Sequence, residues 1–278
     1  MTKNYGDATE AKIAEVMDAC TAYGSNSIIA LAGVPGTGKS FIANIAAQRL
    51  ATDLMMIREI QFHPSYSYEE FIEGYRATPQ GGFSPELGVF LEWNELARAD
   101  STKKYVLLVE ELTRANLPSV LGELLTYVEH RERPFFTMYT RRAVKLAPNL
   151  IILATYNPRD RSALELDDAI IRRLRIIHCP PDTKQLGEML TGNFLKTTAI
   201  DQLRHLFDAC AKHEDYETLM PFGHGMFAVV GKEKPDLNRL WTQRILPMIR
   251  RPLLQPHPFA ETITENYPWR DVAFETGG

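Results

Sequence analysis

The residues with the clearest chemical signature lie between Gly33 and Ser40, where the sequence is GVPGTGKS. This G-x-x-x-x-G-K-S spacing is typical of a loop that binds nucleotide phosphates when a strand precedes it and a helix follows it. Its glycines allow the backbone to curl, so that successive N–H groups converge on one anion. Lys39 is expected to contact the β- and γ-phosphates, and the Ser40 hydroxyl to bind the Mg²⁺ that bridges them. The predicted nucleotide-binding residues are Gly33, Pro35, Gly36, Thr37, Gly38, Lys39 and Ser40.

Two carboxylates end the apolar run YVLLVEE, from Tyr105 to Glu111. A buried strand with acids at its carboxyl end is what a phosphate loop needs as a partner, because the metal requires further oxygen ligands. Glu110 is therefore predicted to hold Mg²⁺ through water, and Glu111 to orient and deprotonate the attacking water. The alternative is a strand that ends at the surface with two solvated acids.

Three further candidates lie later in the chain. Asn157 follows the apolar run from Leu150 to Thr155, where it could sense the γ-phosphate or fix the water. Arg172 and Arg173 are adjacent on a short predicted helix. They are either surface charge or an arginine finger, which places charge on a transferring phosphoryl group from a neighbouring subunit.

The elements that position these residues alternate between strands and helices. Apolar strands are predicted at 27–32, 54–62, 105–111, 150–155 and 174–178, with helices at 7–23, from Lys39 and at 117–133. Such alternation predicts an α/β fold with a parallel sheet. After Pro180 and Pro181 only helical patterns follow, at 183–190, 199–213 and 237–249. The predicted divisions are a helix at 1–24, an α/β domain at 25–180, a helical domain at 181–251 and an aperiodic, loosely docked tail at 252–278.

Two stretches are candidate interaction surfaces. Residues 62–90 are rich in aromatics and glycines, with a predicted helix from Ser67 and an irregular segment at 79–85, and core packing is as probable there as partner binding. Residues 131–145 are predicted to form a β-hairpin that suits gripping nucleic acid or a peptide, or is simply solvated. Its side chains of interest are basic or aromatic: Arg131, Arg133, Phe135, Phe136, Tyr139, Arg141, Arg142 and Lys145.

Composition excludes some classes of function. The 278 residues carry a formal net charge of −4, which gives no reason to expect nucleic-acid binding by the whole surface. The three cysteines have no metal-ligand spacing, so buried thiols in a reducing, cytoplasmic setting are expected. The apolar runs are shorter than a membrane span, and no association with a membrane is expected.

The order of phosphate loop, acid-tipped strand, polar-tipped strand, paired arginines and C-terminal helices resembles that of AAA+ ring NTPases. Four stretches are more narrowly similar to the McrB-type motors of modified-cytosine restriction systems: QFHPSYSYEEFIEGYR, GGFSPELGVFLE, EELTRANLPSVLGELLTYVEHRER and GHGMF. The resemblance implies an AAA+ fold, a P-loop parallel sheet sandwiched by helices with a small C-terminal all-helical lid domain. It also implies Mg²⁺-dependent hydrolysis of GTP or ATP, with Lys39, Ser40, Glu111, Asn157 and Arg172 or Arg173 at the family's functional positions.

The resemblance further implies partners. These are other copies of the chain in a homo-oligomeric ring, expected to be a hexamer, and an McrC-like nuclease or activator subunit. DNA would be contacted through that partner or through the hairpin at 131–145.

The chain departs from the family pattern at several positions. Glu110 stands where the family has Asp, Thr113 where it has Asn, and the sequence after Tyr156 is NPRD instead of NTAD. The family's N-terminal DNA-reading domain is also expected to be absent. Two alternatives to an active motor therefore remain: a nucleotide-dependent assembly module with slow hydrolysis, and a MoxR-like remodelling chaperone.

Overall fold

The computed structural model describes residues 5–160, 166–190, 197–231, 237–250 and 258–267. The chain forms two compact units. The first, here called the sheet unit, comprises Ala11–Ala32 and Lys39–His178. The second, here called the helical unit, comprises Met1–Glu10, Gly33–Gly38 and Cys179–Gly278. Each unit has its own buried apolar cluster.

The sheet unit is built on a five-stranded sheet with the strand order β2-β5-β8-β1-β9, in which every pair is parallel. Its strands are β1 (Ile28–Ala32), β2 (Ile57–Gln61), β5 (Tyr105–Glu110), β8 (Leu150–Tyr156) and β9 (Leu174–His178). The three central strands are buried almost throughout, as expected of a parallel sheet covered on both faces. The predicted α/β fold is confirmed.

Helices of 4 to 17 residues alternate with these strands along the sequence. Their bounds are α1 (Asp7–Tyr23), α2 (Lys39–Leu50), α3 (Tyr68–Phe71), α4 (Val89–Ala99), α5 (Leu117–Leu121), α6 (Leu124–Tyr127) and α7 (Asp168–Arg173). The single helix predicted at 117–133 is wrong, because the chain breaks at Gly122, which has a φ of 48°. A Cβ atom at Gly122 would lie 2.7 Å from the Tyr68 ring, so the break also lets that ring pack closely.

The aromatic stretch contains a β-hairpin that the sequence did not predict. After the single turn of α3, strands β3 (Glu73–Ala77) and β4 (Phe83–Leu87) pair antiparallel around Gly81 and Gly82, whose φ angles are 86° and 89°. Phe71 lies in the core, where it stacks on Phe90 with ring centroids 5.3 Å apart. Core packing therefore accounts for Phe71, whereas Phe83 on the hairpin is 75% exposed.

The predicted hairpin at 131–145 is present as β6 (Phe135–Phe136) paired antiparallel with β7 (Ala143–Val144). Arg131, however, is only 7% exposed. Its guanidinium donates hydrogen bonds to the carbonyl oxygens of Ala147 at 2.8 Å, Leu150 at 2.6 Å and Gly24 at 2.9 Å. Burial lowers the pKa of Arg131 to about 10. Neither open interpretation, gripping nucleic acid or being solvated, holds for Arg131 and Phe135, because both are buried inside the fold.

Replacing Arg131 with methionine should therefore lower the free energy of unfolding by about 3 kcal/mol or more. Methionine fills much of the same space, but three carbonyl groups lose a charged donor worth about 1.5–3 kcal/mol per bond. Arg133→Met is the matched control, because that side chain is 69% exposed, and it should change stability by less than about 0.5 kcal/mol. Urea unfolding followed by circular dichroism measures both. Equal, small effects would contradict a structural role for Arg131.

Among its described residues, the helical unit has helices and connecting loops but no strand. Its helical segments after residue 179 are α8 (Thr183–Leu190), α9 (Thr197–Cys210), α10 (Tyr216–Leu219), a 3₁₀ segment (His224–Gly231), α11 (Leu237–Leu240), a π segment (Trp241–Ile245), α12 (Leu246–Ile249) and α13 (Ala260–Asn266). Buried aromatic rings lie at the centre of its hydrophobic core. Phe207, Phe222 and Phe227 lie with ring centroids 6.0–6.2 Å apart, edge to face.

The expectation of a loosely docked tail after residue 251 is wrong for residues 258–267. Phe259, Ile263 and Tyr267 are buried there, and Tyr267 stacks on Trp241 with centroids 4.8 Å apart. Ile263 lies within α13, whereas Phe259 immediately precedes this helix and Tyr267 immediately follows it. The remainder of the predicted tail, at 252–257 and 268–278, lies outside the described residues.

Two smaller findings concern the cysteines and the membrane. Cys20, Cys179 and Cys210 are free and buried, as expected. In the part of the chain that the structure describes, none of the helices combines the length and the apolar character needed to cross a membrane. The domain boundaries at 24, 180 and 251 stay predictions.

Candidate functional site

The phosphate loop has a backbone shape that depends on its glycines. Gly36 and Gly38 both have φ angles of 81°, in the left-handed region where other residues are strained. A Cβ atom at Gly33 would lie 2.3 Å from the carbonyl oxygen of Cys179. The Thr37 hydroxyl is buried and donates to the Val34 carbonyl at 3.1 Å. Helix α2 begins at Lys39, so the loop leads directly into a helix N-terminus, as anion binding requires.

Three oxygen-bearing side chains meet at the start of α2. The Ser40 hydroxyl donates to a Glu110 carboxylate oxygen at 2.8 Å, and the Thr155 hydroxyl donates to that same oxygen. Oxygen ligands of this kind suit Mg²⁺, which takes one or two carboxylates and completes its shell with water and phosphate. Within the described ranges, no group of three or more His, Cys, Asp or Glu side chains could hold a metal by itself. The oxygen donors of Ser40 and Glu110 are of the kind that Mg²⁺ takes together with phosphate and water.

Glu111 follows the end of β5 in an unusual backbone conformation. Its φ and ψ angles are 55° and 45°, a left-handed geometry that costs a non-glycine residue about 1–2 kcal/mol. Its N–H donates to the Thr155 hydroxyl at 3.4 Å, and its carboxylate lies 3.2 Å from the Arg114 Nε. Strain of this sort persists where the surroundings fix it, and it is frequent at functional sites.

Asn157 is connected to Glu111 through two charged residues, Asp160 and Arg114. Its side-chain amide donates to Asp160 at 3.0 Å, and its Oδ1 accepts from the Arg159 N–H at 3.0 Å. Asp160 in turn lies 3.6 Å from the Nε of Arg114. Asn157 and Glu111 are therefore connected through Arg114 and Asp160.

The predicted arginines lie in a different group of contacts. Arg172 and Arg173 each approach the Glu129 carboxylate at 3.3 Å. Their exposure differs: the Arg172 side chain is 67% exposed, whereas that of Arg173 is 12% exposed and donates to the Ala169 carbonyl at 2.5 Å. Arg172 is thus the one with a side chain that another molecule could reach.

Comparison with known protein families decides the assignment. Residues 28–174 match the family model described as AAA domain (dynein-related subfamily). The chain belongs to this family. The matched region holds Lys39, Ser40, Glu110, Glu111 and Asn157, and it supports the AAA+ fold expected from the sequence.

Two curated relatives belong to restriction systems. The chain is 29% identical over 248 residues to the "Type IV methyl-directed restriction enzyme EcoKMcrB subunit" of Escherichia coli (strain K12), which covers 83% of this chain and 54% of that protein. It is 25% identical over 183 residues to the "Type II restriction enzyme BsuMI component YdiS" of Bacillus subtilis (strain 168), covering 51% of this chain and 53% of the relative. The chain thus spans about half the length of these relatives. Within the AAA domain family, it is similar in sequence to this McrB subunit.

A solved structure gives a weaker likeness. The crystal structure of a putative ATPase from Cytophaga hutchinsonii ATCC 33406 is 18% identical, with a TM-score of 0.41, and the match covers 73% of this chain and 62% of that one. This TM-score is too low to add to the assignment.

Sequence reasoning missed two residues at the centre of the AAA+ site. Thr155 contacts both Glu110 and Glu111, and Arg114 connects Glu111 with Asp160. A signal for Thr155 was present, because a hydroxyl in the otherwise apolar run LIILAT needs a partner when buried. The signal for Arg114 was weaker: it lies three residues after Glu111, a spacing at which the two side chains can meet.

Proposed function

We propose that this chain hydrolyses GTP or ATP with Mg²⁺ and acts as a ring-forming motor for a restriction-type partner. The observation that carries the proposal is the contact of Ser40, Glu110 and Thr155 at the start of the helix that follows the phosphate loop. Family membership and the similarity to restriction subunits support it.

Each residue has a proposed task. The loop N–H groups of 33–38 and the Lys39 ammonium would bind the phosphates. Ser40 and Glu110 would hold the metal, which when bound would withdraw charge from the phosphate oxygens. Glu111 orients water and accepts its proton. Asn157 positions that water or the γ-phosphate, from its place beside Asp160.

The substitution of Glu for the family's Asp at position 110 is compatible with this chemistry. Its carboxylate reaches Ser40 at 2.8 Å in spite of the extra methylene. That contact favours an active hydrolase over an assembly module with slow hydrolysis. Nothing in a phosphate loop recognises the base, so we propose both GTP and ATP as substrates.

The proposed assembly is a homo-oligomeric ring, a hexamer, in which Arg172 of one subunit reaches the nucleotide of the next. The two restriction relatives are described as a subunit and a component, which supports a partner for this chain as well. We propose an McrC-like nuclease or activator, with DNA bound by that partner or by the exposed part of 131–145. Phe136, which is 60% exposed, remains available on that hairpin.

Nucleotide binding and phosphate release test the proposal. The chain should bind a fluorescent GTP or ATP analogue with Mg²⁺ and release phosphate from the natural nucleotide. Lys39→Ala should weaken binding at least about tenfold, because the phosphates lose one charged donor. Lys12→Ala is a control, since Lys12 pairs with Glu15 on α1, and should leave binding unchanged. Binding without any phosphate release, alone or with partner, would support the assembly module instead.

A further inference from the structure

The helical unit contains a turn that contacts the phosphate loop directly. This turn, here called the GHG turn, comprises Gly223, His224 and Gly225. The Gly223 N–H donates to the Pro35 carbonyl at 2.7 Å, and the Gly225 N–H donates to the Gly36 carbonyl at 2.6 Å. Phe222, just before the turn, is fully buried against Phe207, so the turn starts from a fixed position in the aromatic core.

The turn requires glycine at both ends. A Cβ atom at Gly223 would lie 2.5 Å from the Gly36 carbonyl oxygen and 2.5 Å from the Thr37 Cγ2. A Cβ atom at Gly225 would lie 2.8 Å from the same carbonyl oxygen. These separations are shorter than non-bonded atoms tolerate, so a side chain at either position would push the turn and the loop apart.

The two hydrogen bonds set the orientation of two peptide groups in the loop. In a planar trans peptide, the carbonyl of one residue and the N–H of the next point in opposite directions, and the described chain has no cis peptide bond. Because the carbonyls of Pro35 and Gly36 point to the GHG turn, the N–H groups of Gly36 and Thr37 point away from it. Those N–H groups belong to the set that a phosphate loop uses to bind anions.

His224 attaches the turn to the start of helix α8. It is 5% exposed, and its Nδ1 accepts a hydrogen bond from the Asp182 N–H at 3.2 Å. The Asp182 carboxylate in turn accepts from the N–H groups of Lys184 and Gln185 at 2.7 and 2.8 Å. Burial lowers the pKa of His224 to about 4, against a smaller opposing effect of Asp182. His224 is therefore neutral near pH 7 and remains an acceptor at Nδ1.

We infer that the GHG turn is a positioning element for nucleotide binding: it holds the Pro35 and Gly36 peptides so that the Gly36 and Thr37 N–H groups face the phosphates. This inference rests on the proposed function. Lys39 and Ser40 supply charge and a metal ligand, whereas the turn supplies a preformed set of N–H donors. A preformed site binds its ligand more tightly, because the loop loses less conformational freedom when the phosphates bind.

Titration of fluorescent GTP and ATP analogues with Mg²⁺ tests the inference. Gly225→Ala should weaken affinity about 10- to 100-fold, because one or two charge-assisted N–H bonds to phosphate are lost. Gly187→Ala is the matched control: it lies in the same unit, and the atoms nearest to its Cβ would be those at the flexible end of the Arg204 side chain. Its affinity should stay within about twofold. In hydrolysis, KM should rise for Gly225→Ala, while kcat should change by less than about threefold.

A second pair of variants covers the case in which Gly225→Ala fails to fold. His224→Leu removes the acceptor for Asp182 and should weaken affinity roughly three- to tenfold. His224→Asn places an oxygen near the position of Nδ1 and should restore affinity to within about twofold.

The outcomes separate the two hypotheses. Wild-type affinity in Gly225→Ala, or in a folded His224→Leu, would overturn the positioning role and leave the proposed function intact. Absence of nucleotide binding by the unmodified chain would overturn both.

Discussion

Replacing Glu111 with glutamine should lower the rate of nucleotide hydrolysis by about a hundredfold or more, while nucleotide binding with Mg²⁺ stays intact. A glutamine amide keeps the size of the side chain but cannot accept a proton from water, and a positioned general base contributes about 10²–10⁴-fold. The loss should therefore appear in kcat, with little change in affinity. Phosphate release under saturating nucleotide and a binding titration measure the two effects separately.

Two variants sharpen this test. Glu86→Gln changes an exposed carboxylate on the β3–β4 hairpin, 3.9 Å from Arg76, and should leave turnover unchanged. Arg114→Gln removes the cation that lies 3.2 Å from Glu111 and 3.6 Å from Asp160. Both carboxylates then lose their ion pair with Arg114. Wild-type turnover in Glu111→Gln would move the role of base to another group, with Glu110 the first candidate.

The parts of this site that could be predicted are those that the local sequence determines. A phosphate loop needs glycines at fixed positions, and those positions have left-handed φ angles or a close backbone neighbour in the structure. Strands β5 and β8 are continuous apolar runs because both faces of a parallel sheet are covered. Their ends were therefore predicted to within one residue, since the predicted strands at 105–111 and 150–155 end at Glu110 and Tyr156 in the structure. Parallel strands end at one edge of the sheet, which predicted that acid and amide side chains would lie close together.

The parts that could not be predicted depend on contacts between distant residues. Arg131 resembles the other basic residues of its hairpin, and only the positions of Gly24, Ala147 and Leu150 explain why it is buried. The hydrogen bonds from the GHG turn to Pro35 and Gly36 likewise join segments far apart in sequence. No local pattern contains that information.

Helix α13 was not predicted, for a different reason. Ile263 is its one large apolar residue, and a seven-residue helix flanked by Phe259 and Tyr267 gives too few repeats to outweigh the prolines around it. The hairpin of β3 and β4 was missed in the same way, because two five-residue strands around Gly81 and Gly82 alternate too briefly. Short elements are specified mainly by what they pack against.

The second large effect concerns Arg172, which should act on the nucleotide of a neighbouring subunit. Arg172→Ala is expected to lower turnover about a thousandfold, the usual contribution of an arginine supplied across an interface. Arg173→Ala separates the two roles, because Arg173 is 12% exposed and bonded to Ala169 and Glu129. It should reduce thermal stability, whereas Arg172→Ala should not, since the Arg172 side chain is 67% exposed.

Mixing two inactive variants tests whether the site forms between subunits. An Arg172→Ala chain retains Glu111, and a Glu111→Gln chain retains Arg172, so some interfaces of a mixed ring combine both functional residues. With random assembly of equal amounts, about one interface in four is complete, and activity should recover toward a quarter of the wild-type value. Turnover per wild-type subunit should also increase with protein concentration, because only associated chains are active.

A simple surface role for Arg172 gives the opposite results. The mixture would stay as inactive as its components or show only their average, and turnover per subunit would not depend on concentration. Sedimentation with nucleotide would find monomers with full activity. These results would leave the Arg172 contact with Glu129 as an exposed ion pair, which is worth at most about 1 kcal/mol. They would leave the roles of Glu111 and the phosphate loop untouched, because those residues act on the nucleotide of their own chain.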